Sequence, residues 1–227
     1  MKKTLTQLLC GAVIGAPIGF FVVGGDFTLP IYKIATEMAL VFFGIAFLLT
    51  VGTFVKLSQL KQKSSQQFSG DEEDLHEQYL YKLYSDVSLA SNIALILSIA
   101  AMCIGVITEQ SIVILILSIF VVLLSILSTI LVGTSLKYAY PNREFPSFND
   151  SQYSKKLLEM SDEGERHVML QGFYSAFNTA NILLLGSLLL LMFYSIASGE
   201  SQLFAILIIS LILIIVNTQY MLKVRNR

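Results

Sequence analysis

The sequence predicts an all-α polytopic membrane protein: six transmembrane helices arranged as three hairpins, with short amphipathic helices on the cytoplasmic side. Three observations predict it. The 227 residues are 55% hydrophobic and only 14% charged, whereas a soluble domain carries about 25% charged residues. The uncharged stretches have the length of bilayer-crossing helices. The cations fall almost entirely on one side of the membrane that those helices imply.

The spans follow in order. Lys3 to Asp26 encloses 22 uncharged residues, and Lys33 to Lys56 encloses 22 more, interrupted only by Glu37. Asp86 to Glu109 encloses 22, Glu109 to Lys137 encloses 27, and Glu200 to Lys223 encloses 22. His167 to Glu200 encloses 32, apolar from Ala176 onward. A helix needs about 20 apolar residues to cross the hydrocarbon, which gives spans at 5–25, 34–56, 87–108, 111–133, 176–196 and 202–222. Backbone groups have no water to bond inside lipid, so the spans are helices. Uniform runs such as Ile112–Ile119 lack the alternation of a barrel strand. The opening Met1-Lys2-Lys3 and apolar run also suit a signal peptide, but Ala16-Pro17 is a poor cleavage context and Leu9-Cys10 a poor lipidation site. The first span is therefore read as an uncleaved helix.

Lys and Arg set the orientation. With the N-terminus inside, 14 of the 15 fall on the inner side and only Lys33 on the outer. Both termini and the two longer connections, 57–86 and 134–175, are then cytoplasmic. Eight of the ten tyrosines lie on or near the inner boundary, where they replace the absent tryptophan as an interfacial belt. A formal charge of −1 offers no basic surface for nucleic acid. Cys10 and Cys103 are too few for a disulfide framework.

The connections carry the polar detail. A linker, Gln59 to Gly70, precedes an amphipathic segment with Leu75, Tyr79 and Leu83 on one face; Ser69 and Glu72 have capping-box spacing at its start. Pro141 and Pro146 open the second connection, a short helix follows near Gln152–Met160, and Asp162 with Glu165 can cap a further helix running into the fifth span. Asp71-Glu72-Glu73-Asp74-Leu75-His76 aligns with Asp162-Glu163-Gly164-Glu165-Arg166-His167 at an offset of 91, which Glu109 and Glu200 share. This reads as an internal repeat of the last two hairpins. Val51-Gly52-Thr53, Val132-Gly133-Thr134 and Val216-Asn217-Thr218 extend it to a threefold reading.

Several constellations bear on function. Gly11, Gly15 and Gly19 place small residues every four positions on the first span, suited to close helix packing within the chain or between subunits; Pro17 should kink that span. Glu37 lies four residues after Lys33, which suits an interfacial ion pair or an ion pathway. Glu72/His76 and Glu163/His167 are i, i+4 pairs. Brought together, they would supply two imidazoles and two carboxylates for a metal; apart, they are solvated acids favoured by a helix N-terminus, or an acidic docking patch. Among the span asparagines, Asn92, Asn178, Asn181 and Asn217 suit interhelical hydrogen bonds, and the first three alternatively a polar path. No catalytic residues are assigned. His76-Glu77-Gln78-Tyr79-Leu80 lacks the second histidine of a zincin, no span holds a carboxylate pair, and there is neither a phosphate loop nor a G-x-S-x-G elbow.

The segment from Phe145-Pro146 through Ser154-Lys155-Lys156-Leu157-Leu158-Glu159-Met160-Ser161-Asp162-Glu163-Gly164-Glu165-Arg166-His167, on a chain of this topology, resembles a multi-pass membrane-protein family of Gram-positive bacteria known as domain of unknown function thirty-one sixty-nine. The resemblance implies a bacterial multi-pass membrane protein and carries over no activity, substrate or cofactor. The expectation is a non-enzymatic accessory or immunity-type protein that needs no cofactor. It would act through the bilayer and a membrane-protein partner or a second copy of itself. The alternative is a transport component, either a six-span permease or a small carrier.

Overall fold

The structure, a computed structural model, describes residues 31–66, 68–140, 150 and 152–225. Among them the chain is helical, without strands: α1 (Ile31–Ser64), α2 (Asp71–Ile107), α3 (Ile112–Thr134), α4 (Leu136–Ala139), α5 (Tyr153–Met160), α6 (Glu163–Ser198) and α7 (Leu203–Arg225). Five of these, α1, α2, α3, α6 and α7, are long and apolar enough to cross a membrane. The span expected at 5–25, with Gly11, Gly15, Gly19 and Pro17, lies outside the described residues. The chain divides into two compact units, one holding the described residues of Pro30–Met160 and the other those of Ser161–Arg227.

Helix lengths depart from the sequence reading. α1, α2 and α6 have 34, 37 and 36 residues, about 50–55 Å at 1.5 Å per residue, against a hydrocarbon core of about 30 Å. Their polar ends are continuations of the apolar spans, not separate amphipathic helices. The reason is local: between Asp71 and Gly105 there is neither glycine nor proline to interrupt α2. α1 likewise runs through the expected linker to Ser64, placing Lys61 and Lys63 in its last turn, where cations complement the helix dipole.

The caps explain the helix starts. Ser69 does not cap α2. Gly70 stands at the N-cap with φ 67 and ψ −142 and no side-chain cap bond; this backbone region is open to glycine alone, so Gly70 sets the entry of the chain. Asp162 caps α6 as its spacing with Glu165 predicts. Its Oδ1 accepts from Glu165 N at 2.7 Å, and Glu165 Oε2 accepts from Asp162 N at 3.2 Å. Gly199 closes α6 in the left-handed conformation, its N–H on Ser195 O at 3.1 Å. Ahead of α5, Asp150 accepts from the Lys156 ammonium and from Gln152 N, which together hold its carboxyl below the usual range.

The 31–160 unit is built on a seam of small and hydroxyl side chains. The buried residues of α3 are Ser118, Val121, Ser125, Ser128 and Val132, spaced alternately by three and four, the periodicity that keeps one stripe facing a partner helix. α2 answers with Val87, Ser91, Ala94, Ser98 and Ala101, and α1 with Ala39, Ala46, Thr50 and Thr53. Bulky side chains point outward: Leu48 is 70% exposed and Ile112 73%, against at most 1% for Thr50, Ser91 and Ser125. This inverts the soluble pattern and is the arrangement expected when lipid is the solvent. Apolar surface then gains nothing by burial, and helices associate through close approach and hydrogen bonds.

The hydroxyls link all three helices. Thr50 Oγ1 donates to Ala46 O at 2.8 Å and lies 2.9 Å from Ser125 Oγ; its proton being spent on the carbonyl, Ser125 is the donor across the α1–α3 contact. Ser128 Oγ and Thr129 Oγ1 both donate to Ser125 O at 2.9 Å. Ser91 Oγ lies 3.1 Å from the first and 3.0 Å from the second, so Ser91 supplies the proton that ties α2 to α3. No buried side-chain nitrogen or oxygen among the described residues lacks a partner. Toward the end of α1 the interior turns aliphatic, with Leu60, Leu80, Leu83, Val87 and Val132 in one cluster. Gly105 faces the start of α3, where a Cβ would make van der Waals contact with Leu115 Cδ2 at 3.4 Å.

The seam makes a direct prediction. Ser91→Ala should cost about 0.6–2 kcal/mol, the range of interhelical hydrogen bonds in membranes. Ser91→Leu should cost about 1–3 kcal/mol more through overpacking. Leu123→Ala, on the outer surface, should cost least. Detergent-denaturation titrations of the purified protein in mixed micelles measure all three, and the reverse order would refute the seam.

Candidate functional site

In the 161–225 unit, neither α6 nor α7 has a buried residue. Two side-chain pairs join them. Asn217 Nδ2 donates to Asn181 Oδ1 at 2.6 Å and to Leu213 O at 2.9 Å, while Asn181 Nδ2 donates to Phe177 O at 3.0 Å. Each amide thus bonds its own helix one turn back and the opposing amide, which leaves little unpaired polarity in the apolar contact. Nearer the polar end, the rings of Phe177 and Tyr220 stand 4.9 Å apart. Beyond that pair lies a groove of about 880 Å³, with Phe173, Tyr174 and Phe177 on one wall, Tyr220 on the other, and His167 and Lys223 near its mouth. Groove and asparagine pair both arise from spacing: Phe173, Phe177 and Asn181 recur every four residues on one face of α6.

The second recess, about 460 Å³, sits at the α1–α2 turn between Lys63, Phe68, Glu72, His76 and Tyr79. His76 Nε2 lies 3.1 Å from Lys63 O. A carbonyl can only accept, so the imidazole donates there and satisfies one of the carbonyls that the end of α1 leaves open. Phe68 packs against the imidazole at 4.5 Å between centroids, and the Lys63 ammonium sits 5.4 Å from the Tyr79 ring centre. This fastens the turn.

The predicted site residues separate accordingly. Glu72 and His76 belong to the turn recess, and His76 serves the backbone there. His167 lines the α6–α7 groove, and Glu163 is exposed in the first turn of α6. Among the described residues no group of three or more His, Cys, Asp or Glu side chains could hold a metal ion. Of the three asparagines, Asn181 is committed to Asn217. Asn92 and Asn178 are exposed and make no hydrogen bond to another described residue. Glu37 is exposed on α1, and the side chain of Lys33, its expected partner, is outside the described set. Sequence reasoning named Asn217 among the span asparagines without pairing it to Asn181. It missed the groove, although the four-residue spacing of Phe173 and Phe177 was there to find it.

The asparagine contact is tested by a double-mutant cycle. Asn181→Ala and Asn217→Ala should show a coupling energy of about 0.6–2 kcal/mol in detergent denaturation, whereas Asn178→Ala and Asn217→Ala should be additive. Zero coupling between 181 and 217 would remove the pair from the account.

No curated protein and no solved structure matches the chain. The family described as a protein of unknown function (DUF3169) matches residues 1–224, nearly the whole sequence, and the chain belongs to that family.

Proposed function

We propose that this chain is a non-enzymatic protein of a bacterial cytoplasmic membrane, of the accessory or immunity type, acting by binding a membrane-protein partner. The observation that carries the reading is the distribution of unspent polarity. The interior hydroxyls of the 31–160 unit are hydrogen-bonded to one another or to carbonyls of their own helices. By contrast, Glu72, Glu73 and Asp74 are exposed at the start of α2, and Glu163 at the start of α6. Asn92 stands exposed on an apolar helix without a described partner. An amide facing lipid gains most from a hydrogen bond to another helix, and an acidic helix end just outside the hydrocarbon complements a basic juxtamembrane segment.

The reading includes six spans as three hairpins, with both termini and the acidic ends cytoplasmic. The α2–α3 and α6–α7 pairs support the internal repeat: lengths of 37 and 23 residues against 36 and 23, each joined by a four-residue turn with a left-handed residue, Glu109 in one and Gly199 in the other. The transport alternative rests on Asn92, Asn178 and Asn181 as a polar path.

Two experiments test this. With Cys10 and Cys103 replaced by serine, cysteines at Ser65 and Glu159 should react with an impermeant maleimide only after the cell is opened, and those at Ser111 and Ser201 in intact cells. Labelling of positions 65 and 159 from opposite sides would end the topology. A photo-crosslinking residue at Asn92 should give a discrete adduct in native membranes, lost when Glu72, Glu73 and Asp74 are all changed to Lys. An adduct indifferent to those charges, or none at all, would end the partner reading.

A further inference from the structure

We infer that the groove between α6 and α7 is a binding site for an anionic phospholipid, its headgroup held by Lys223 and His167 and its upper chains lying against Phe173, Phe177 and Tyr220. The inference goes beyond the partner reading and does not depend on it.

Four features of the groove converge on that ligand. The first is charge. Lys223 and His167 line it, no acidic side chain does among the described residues, and Arg225 follows Lys223 in the last turn of α7. The second is availability. Among the described residues Lys223, His167 and Gln171 engage in no hydrogen bond or ion pair, whereas Asp150 holds Lys156 and Glu159 lies 3.8 Å from Lys155. The third is depth. Lys223 is the first charge after the 22 uncharged residues that follow Glu200, so the groove lies where the apolar stretch ends, at the level of a headgroup and glycerol. The fourth is the wall. Aromatic rings occupy the interfacial level by preference, and the Phe177–Tyr220 contact followed by the Asn181–Asn217 bond closes the helices below it.

The chemistry favours a phosphodiester with net negative charge over a zwitterionic headgroup. In a zwitterion the choline or ethanolamine cation would compete with Lys223 for the phosphate. In phosphatidylglycerol the phosphate is unopposed, and its glycerol hydroxyls can bond Gln171. A volume of about 880 Å³ accommodates a headgroup, the glycerol backbone and the first methylenes, and the groove is open enough for the chains to leave into the bilayer.

The chain has no tryptophan, so Phe173→Trp supplies a single fluorophore on the groove wall. The full chain is placed in nanodiscs holding a small fraction of brominated phosphatidylglycerol, or the same fraction of brominated phosphatidylcholine. The anionic lipid should quench the introduced indole about fivefold more effectively, as expected for one cation at a membrane surface. The ratio should fall to one in the Lys223→Gln, His167→Gln background. The same fluorophore introduced instead by Phe204→Trp, at the other end of α7, should show a ratio of one throughout. Equal quenching at position 173 with Lys223 and His167 both present would overturn the proposal, as would a preference that survives their removal. Millimolar inorganic phosphate should leave the preference intact; its loss would assign the groove to a free anion and refute the lipid. Native mass spectrometry of the chain without the tryptophan change gives an independent reading. More phosphatidylglycerol should remain bound to the unsubstituted chain than to Lys223→Gln, and equal retention would also refute the site.

Discussion

A hydroxyl or amide inside a helix bundle that lipid surrounds has no water to fall back on, and every such group must find a protein partner. The 31–160 unit is organised around that requirement. Thr50, Ser125, Ser128, Thr129 and Ser91 form one connected set across three helices, in which carbonyls of the helices themselves absorb the protons left over. Small side chains make the set possible, since only Ala, Ser, Thr and Gly bring the backbones close enough for hydroxyls to meet. The large aliphatic residues are then displaced to the outside. There they cost nothing, because lipid solvates them as well as protein would. The aliphatic cluster of Leu60, Leu80, Leu83, Val87 and Val132 sits where α1 and α2 run toward their polar turn, and burial away from water regains its value there.

The same requirement takes a lighter form in the second unit. α6 and α7 share an amide pair and a ring pair, and neither helix holds a buried residue. The three-helix seam is filled with hydroxyls bonded to protein partners, whereas the α6–α7 pair keeps a groove. The features that can engage other molecules therefore gather at the polar ends of the long helices: the acidic starts of α2 and α6, and the aromatic groove beside Lys223. Rigid apolar lengths position these ends, and the caps at Gly70 and Asp162 fix where the ends begin.

The sequence was legible where one physical term dominated. An uncharged stretch of about 20 residues reads as a span, and among the described residues helices long and apolar enough to cross a membrane cover five of the stretches that charge counting marked. Asp162 and Glu165 announced their capping box because both partners are local. Ser69 and Glu72 had the same spacing and misled, since the adjacent Gly70 could take a backbone conformation that moved the helix start by one residue. The break expected between the amphipathic stretch and the third span was not there either. A change of polarity is not a change of backbone propensity, and α2 contains no residue that would stop it before Gly105. The serine register of α3 was present as a three–four spacing, but in a run where almost every residue is apolar, periodicity of hydrophobicity is faint and the signal lies in size instead.

By itself, then, the sequence determined the solvent and the secondary structure: a helical membrane chain and the positions of its long apolar helices among the described residues. These follow from composition and local spacing, which each stretch carries alone. Tertiary structure decided the partnerships: that Ser91 reaches Ser128 and Thr129, that Asn181 takes Asn217, that His76 serves the end of α1, and that an aromatic groove opens beside Lys223. A hydroxyl or an amide can bond any neighbour within about 3 Å, and only the packing of one helix against another selects which neighbour that is.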